Sequence, residues 1–135
     1  MSAQANATVR ATERCWELCA EGRYISAAEL MADGFVHDDR RSGLTNTIIG
    51  RDATLENNRV AVELGFNPEF ETLMVSGDDL ALVRARFADA NDNEVVSLQV
   101  LGTDDRGLRT CCMSFDADDL DGATREFDRL RRAPH

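Results

Sequence analysis

The sequence has few basic residues for its size. Among its 135 residues, 15 are lysine or arginine and 25 are aspartate or glutamate, so the formal net charge at pH 7 is −10. A protein that binds nucleic acid needs a basic surface to neutralise phosphates, and anionic membranes repel an acidic surface. We therefore predict no nucleic-acid partner and no membrane partner, and we interpret the charge as that of a solvated surface.

Long apolar segments are absent as well. No apolar run reaches the length of a membrane span, and the segment from Met1 to Asn6 lacks the basic and apolar regions of a signal peptide. We therefore expect a cytoplasmic location. The length and a hydrophobic content of 43% are those of one domain with a sizeable core, so we expect residues 1–135 to form a single domain. A domain cut from a longer protein is an alternative that the sequence leaves open.

The cysteines do not follow a metal-binding pattern. Cys15 and Cys19 lie one helical turn apart, whereas Cys111 and Cys112 are neighbours on a predicted strand and should point to opposite faces. This spacing is not that of a zinc site. We interpret the four cysteines as reduced, buried structural thiols, and we predict no metal and no cofactor.

Apolar spacing and turn residues predict four helices and six strands. The helices are expected over residues 5–20, 26–32, 52–64 and about 116–131, and Ser26 with Glu29 has the spacing of a capping box. The strands are expected over residues 35–40, 44–49, 70–76, 80–88, 94–102 and 108–115. Short polar turns separate the last four strands, as in antiparallel hairpins. This order predicts an α+β fold in which helices pack into the hollow of a curved antiparallel sheet.

The order of elements resembles the NTF2-like superfamily, which includes ketosteroid isomerases, limonene epoxide hydrolase and the SnoaL-like polyketide cyclases. The resemblance covers essentially the whole chain. It rests on the opening helix with Trp16, residues 28–36 (AELMADGFV), residues 50–53 (GRDA) and the closing hairpins. Residues 38–41 (DDRR) and 115–121 (FDADDLD) are similar to NTF2-like domains of actinobacterial proteins, some of them appended to larger regulators. The resemblance implies a cone, a curved antiparallel sheet wrapped around the N-terminal helices, with a C-terminal helix. Enzymes, ligand binders and assembly domains share this fold.

The first predicted strand carries the candidate catalytic residues. Alternation places His37 and Asp39 on the face of Phe35, and Asp38 and Arg40 on the opposite face. A histidine beside a carboxylate can act as a general base with an orienting partner. Four consecutive charged residues are also typical of a solvated surface cluster, so both interpretations stay open.

The resemblance also implies a homodimer, because NTF2-like proteins commonly dimerise through the outer face of the sheet. In the predicted strands 80–88 and 94–102, one face is apolar and the other is mixed. We assign to the mixed face, and hence to the dimer interface, the residues Arg84, Arg86, Ser97 and Gln99.

Several chemistries of the fold lack their residues in this sequence. The Asp-Arg-Asp arrangement of the epoxide hydrolase is not reproduced, since Arg84-Ala85-Arg86 has arginine where a carboxylate is needed. A ketosteroid-isomerase site needs a suitably placed tyrosine, and Tyr24, between the first two helices, is the only one. A scytalone-dehydratase site needs two histidines. A SnoaL-like cyclase needs one acid or base, which His37 with Asp39 would supply.

The pocket implied by the resemblance is expected to be lined by aromatic residues and one asparagine. The predicted ligand contacts are Trp16, Tyr24, Phe35, Asn57 and Phe70. Aromatic residues at such positions are also typical of a plain core, and Asn57 and its neighbour Asn58 could equally lie on the surface. We predict a domain that binds a small apolar ligand in its cone or mediates dimer assembly. The alternatives are a SnoaL-like cyclase, isomerase or lyase that uses His37 and Asp39, and a sensory or dimerisation module of a larger regulator.

Overall fold

The secondary-structure elements follow the predicted order. A computed structural model describes residues 3–43 and 45–133. Its helices are α1 (Ala7–Ala20), α2 (Tyr24–Ala28), α3 (Arg51–Glu63) and α4 (Leu120–Arg132). Its strands are β1 (Met31–Asp39), β2 (Asn46–Ile49), β3 (Asn67–Ser76), β4 (Leu80–Ala88), β5 (Glu94–Thr103) and β6 (Arg109–Asp116). The predicted α+β class is confirmed. The predicted start of the second strand, Leu44, lies outside the described residues, as do Met1, Ser2 and His135.

The strands form one curved, unclosed sheet in the order β2-β1-β6-β5-β4-β3. Strands β3 to β6 pair antiparallel with their neighbours in sequence, as the polar turns between them predict. The first strand joins the sheet differently, since β1 pairs parallel with β6 and antiparallel with β2. This register decides which side chains share a face, and therefore which residues can form a site.

The second helix is shorter and earlier than predicted. It ends before Met31, where β1 already begins, and its N-cap makes no side-chain hydrogen bond, so the capping box predicted at Ser26 and Glu29 is wrong. The backbone N–H of Arg109 donates to the carbonyl of Leu30 at 2.8 Å and so joins this segment to β6. Pairing with the sheet therefore overrides the local helical pattern. None of the described helices has the length and apolar character that a membrane crossing requires.

Two hydrophobic clusters lie on opposite faces of the sheet. The inner cluster joins helices α1 to α3 to the concave face, and its fully buried members include Cys15, Met31, Phe35, Val83 and Leu101. The outer cluster lies under α4 and includes Leu82, Leu98, Val100, Met113, Ala123 and Phe127. Both faces of the sheet are thus partly covered, and the three N-terminal helices occupy the hollow side.

The two adjacent thiols of β6 belong to different clusters, as alternation predicts. Cys112 is part of the inner cluster, and Cys111 packs against the outer cluster. Burial raises the pKa of Cys112 to about 12, so this thiol stays protonated at neutral pH. Cys15 and Cys19 are buried one turn apart on α1, and all four cysteines are free thiols. Within residues 3–43 and 45–133, no three His, Cys, Asp or Glu side chains gather as a metal site would require.

Candidate functional site

A cavity of about 300 Å³ lies between the concave face of the sheet and the helices α1 and α3. Its wall is largely apolar, and the apolar residues are Trp16, Phe35, Val60, Ala61, Leu64, Phe66, Phe87, Val95 and Cys112. Three of them are exposed and mark the mouth: Val60, Leu64 and Val95. An apolar cavity of this size is suited to a small organic molecule.

Polar side chains from three neighbouring strands form a row beside the cavity. In the register of the sheet, Ser114 of β6 lies between Asp39 of β1 and Gln99 of β5. Ser114 and Gln99 line the cavity, as does Ser97, one row further along β5. All of these residues are buried. Buried polar groups that face a cavity can orient a molecule bound in it.

The run of four charges from Asp38 to Arg41 divides between the two faces of the sheet. On the inner side, Arg41 donates from Nε to Asp39 Oδ1 at 2.9 Å and from Nη2 to Asp39 Oδ2 at 2.5 Å. On the outer side, Arg40 donates to Asp38 at 2.9 Å and to Glu126 of α4 at 3.3 Å. Asp38 and Arg40 thus lie where alternation predicts. Arg41 lies just beyond β1, which ends at Asp39, and reaches back to line the cavity.

Asp39 is held as a carboxylate by this ion pair. Burial raises its pKa, but hydrogen bonds from the side chain and backbone of Arg41, together with the arginine charge, outweigh burial and lower the pKa below its ordinary value. The contact is bidentate, with both carboxylate oxygens engaged by one guanidinium. Asp39 is therefore suited to positioning Arg41 and poorly suited to accepting a proton.

His37 lies beside this ion pair and lines the cavity. Burial lowers the pKa of His37, the Asp39 carboxylate opposes that effect, and the charges of Arg41 and Arg109 add to it. The imidazole is therefore neutral at pH 7 and can accept a proton. The structure places His37 and Asp39 on the same side of β1, as predicted. Both oxygens of Asp39 accept hydrogen bonds from Arg41, and the expected hydrogen bond from the His37 ring to Asp39 is not found among the described residues.

Three of the five residues predicted to contact a ligand line the cavity: Trp16, Phe35 and Asn57. The other two lie elsewhere. Tyr24 packs from α2 against the inner cluster. Phe70 packs behind Phe87, with their ring centroids 6.4 Å apart, while Phe87 itself meets Trp16 at 5.2 Å. Asn58 also lines the cavity and is the more buried of the two asparagines of α3.

Two of the predicted interface residues face the cavity. The register pairs Ser97 with Ala85 and Gln99 with Val83. Val83 belongs to the inner cluster, and Ala85, two residues further along β4, shares its face. Ser97 and Gln99 are only 2% and 7% exposed, which leaves them unable to reach another molecule across the outer face. The grouping of Ser97 and Gln99 with the arginines of β4 is therefore corrected.

The two remaining interface residues lie on the outer face and have partners within the chain. Arg84 donates to Glu71 at 2.9 Å, and Arg86 donates to Glu94 at 2.6 Å. These exposed ion pairs contribute little stability, since water and salt screen them. Part of the same face is covered by α4, which packs on β4, β5 and β6. The homodimer stays a prediction.

Arg109, the first residue of β6, lines the cavity. It is not among the site residues predicted from the sequence. It is only 4% exposed, and its guanidinium carbon lies 5.0 Å from the centre of the Phe35 ring. Strict alternation would place Arg109 on the outer face with Cys111. A shift in the pairing of β5 with β6, between Gly102 and Thr103, turns it inward instead. The turn before β6 gave no sequence signal of this bulge.

Comparison with known proteins identifies a fold. No family model matches the sequence, and no curated protein matches it. An NTF2-like protein of unknown function from Mesorhizobium loti matches with a TM-score of 0.63 and 20% identity, over 81% of this chain and 89% of that chain. A Mycobacterium tuberculosis protein in complex with estradiol-17β-hemisuccinate has a TM-score of 0.64 and 17% identity, over 85% and 97%. The Δ5-3-ketosteroid isomerase from Mycobacterium sp. has a TM-score of 0.61 and 19% identity, over 85% and 96%.

These matches confirm the NTF2-like cone fold that the order of elements predicts. The chain spans nearly the whole length of each of the three structures, so the likeness extends over the entire fold. At such low identity the likeness carries the fold alone, because this fold supports many functions.

Proposed function

We propose that this protein binds a small, largely apolar organic molecule inside the cone. The observation that carries the proposal is the cavity of about 300 Å³, with aromatic and aliphatic walls and a polar row along one side. Apolar walls supply affinity, and a few fixed polar groups supply orientation. The complex of the Mycobacterium tuberculosis neighbour with estradiol-17β-hemisuccinate supports a ligand of this general character.

Trp16 makes binding in the cavity measurable. It is the only tryptophan of the chain, it lines the cavity, and it contacts Phe87 edge to face. N-phenyl-1-naphthylamine is a neutral, apolar probe that fluoresces strongly in apolar surroundings and accepts excitation energy from tryptophan. Binding inside the cone should therefore raise the emission of the probe and quench Trp16 in the same titration.

Filling the cavity should remove probe binding. Ala61 of α3 lines the cavity, so Ala61→Phe places a ring in the space that the probe would occupy. We expect the dissociation constant for N-phenyl-1-naphthylamine to rise by about tenfold or more, which corresponds to roughly 1.4 kcal/mol. The matched control is Ala53→Phe, on the exposed side of the same helix, which should bind like the wild type. Equal affinities of the Ala61→Phe variant and the wild type would place the probe outside the cone.

Acid–base catalysis at His37 is a second candidate function. The favouring observation is a neutral imidazole that lines the cavity next to Arg41, whose charge is fixed by Asp39. In an isomerase, lyase or cyclase of this kind, His37 removes a proton next to a ketone, and a nearby positive charge stabilises the enolate oxygen. The fold of the mycobacterial ketosteroid isomerase accommodates chemistry of this class.

Proton abstraction can be measured without the natural substrate. We expect the wild-type protein to accelerate the exchange of the α-protons of 2-tetralone, a small apolar ketone, with deuterium in D₂O, as followed by proton NMR. His37→Gln keeps the size of the side chain but removes the base, so exchange should slow by about 100-fold. Binding of N-phenyl-1-naphthylamine should persist in this variant. Wild-type exchange no faster than that of free imidazole at equal concentration would remove this candidate and leave the binding function standing.

A further inference from the structure

Arg109 is a buried cation whose charge has no carboxylate partner in the described part of the chain. The two partly buried arginines Arg41 and Arg51 each have one, since Arg41 pairs with Asp39 and Arg51 with Asp33. Arg109 is more buried than either of these, at 4% exposed, and a guanidinium stays protonated in proteins. Burying an unpaired charge costs free energy. The chain has 25 acidic and 15 basic residues, so a shortage of carboxylates does not explain why Arg109 lacks one.

The groups that contact the Arg109 guanidinium are an aromatic ring and a thiol. The guanidinium lies over the face of Phe35, which gives a cation–π contact. The charge of Arg109 acts on His37 and on the thiols of the inner cluster, Cys15, Cys19 and Cys112. Hydrogen bonds from Cys19 and Arg109, together with the charge of Arg109, lower the pKa of Cys15 even though burial raises it. The surroundings of Arg109 therefore favour a negative charge.

Arg109 also lies at the inner end of the cavity. Val95 is exposed at one end of the sheet. Along β6 from that end, Ser114 comes first, Cys112 second and Arg109 last. All three β6 residues line the same cavity. A molecule that enters past Val95 would reach the polar row first and Arg109 last, so a charged group at its leading end would meet the guanidinium.

We propose that Arg109 binds the carboxylate of the ligand, so that the molecule held in the cone is an organic acid with an apolar body. This inference rests on the proposed binding function and specifies the ligand class. A guanidinium offers two parallel N–H donors that match the two oxygens of a carboxylate. The aromatic and aliphatic wall would hold the apolar body, and Ser97 and Gln99 remain available for polar substituents on it.

A pair of compounds that differ at one group tests this inference. 1-Naphthylacetate and 2-(1-naphthyl)ethanol share the same rings, and the first carries a carboxylate where the second carries a hydroxymethyl group. Each is titrated against bound N-phenyl-1-naphthylamine at pH 7.5. The wild type should prefer the carboxylate by about tenfold or more, since hydrogen bonds to charged groups are the strong ones. Arg109→Met should lose this preference while keeping its affinity for the alcohol.

The controls separate charge at this position from charge elsewhere. Arg125→Met, on the exposed surface of α4, should keep the wild-type preference. Arg109→Lys keeps the charge but loses the paired donors, so it should show a reduced preference for the carboxylate and an unchanged affinity for the alcohol. If Arg109→Met does not fold, the inference is decided by comparing the preference for the carboxylate over the alcohol in the wild type and in Arg109→Lys.

The possible failures can be told apart. Equal affinities of the two naphthyl compounds in the wild type, or a preference that survives in Arg109→Met, overturn the inference while the binding function stands. Absence of binding by the probe and by both naphthyl compounds overturns the binding function and the inference together.

Discussion

Replacing Phe127 with alanine should destabilise the protein by about 3–5 kcal/mol, because a buried aromatic ring is deleted from a packed cluster. Phe127 is 1% exposed and anchors α4 on the outer face of the sheet. Its neighbours are held in strands β4, β5 and β6, which cannot move inward to close the space without disturbing the inner cluster. The free energy of unfolding is measured by urea denaturation, followed by circular dichroism.

The control for this variant lies on the same helix. Leu120 is 49% exposed, so Leu120→Ala should change the free energy of unfolding by no more than about 0.5 kcal/mol. Under conditions in which both variants are folded, both should bind N-phenyl-1-naphthylamine like the wild type, because α4 and the cavity lie on opposite faces of the sheet. Similar destabilisation by the two substitutions would contradict a packing of α4 in which Phe127 is buried against the sheet and Leu120 is exposed.

Replacing Asp39 with asparagine should destabilise the protein by about 1–3 kcal/mol, because Arg41 would lose the carboxylate that satisfies it in a partly buried position. The adjacent residue provides the control. Asp38→Asn should cost less than about 1 kcal/mol, because Arg40 is largely exposed and keeps Glu126 as a partner. Both values follow from urea denaturation at pH 7. A larger cost for Asp38→Asn would contradict the division of this charged run between the two faces.

The effect of Asp39→Asn on stability should depend on pH. Arg41 holds the pKa of Asp39 below its ordinary value in the folded state. The ionised carboxylate therefore stabilises the folded protein fully at any pH above that ordinary pKa. This contribution disappears as the pH falls through the lowered pKa of the folded state. The difference in stability between the wild type and Asp39→Asn should therefore be greatest near neutral pH and shrink in strongly acidic solution. A difference that stays constant with pH would indicate that Asp39 is not ionised in the folded protein.

Local sequence signals predicted the fold where turns delimit each element. The strand β4 has the predicted bounds, Leu80–Ala88, because Gly77-Asp78-Asp79 precedes it and a polar turn follows it. The second helix was placed wrongly because its last predicted residues pair with β6, almost eighty residues away in sequence. Local propensity carries no information about such a partner.

The candidate site was predicted only in part, because some of its side chains take their orientation from strand pairing. Alternation within β1 was enough to place His37 on the side of Phe35. The sides of Ser97 and Gln99 depend on how β5 pairs with β4, and that register was available in the sequence. The turn of residues 89–93 pairs Ala88 with Glu94, and counting outward from that pair places Ser97 opposite Ala85. The orientation of Arg109 depends on a bulge, which neither alternation nor turn length reveals.

A small apolar molecule should bind inside the cone, and NMR chemical-shift mapping with N-phenyl-1-naphthylamine tests this binding most directly. We expect the largest shifts at backbone amides of the cavity wall, among them His37, Ser97 and Gln99. The amides of Ala123 and Phe127, on the outer face, should stay unchanged. Shifts confined to α4 and the outer face, or no shifts at saturating probe, would contradict binding inside the cone.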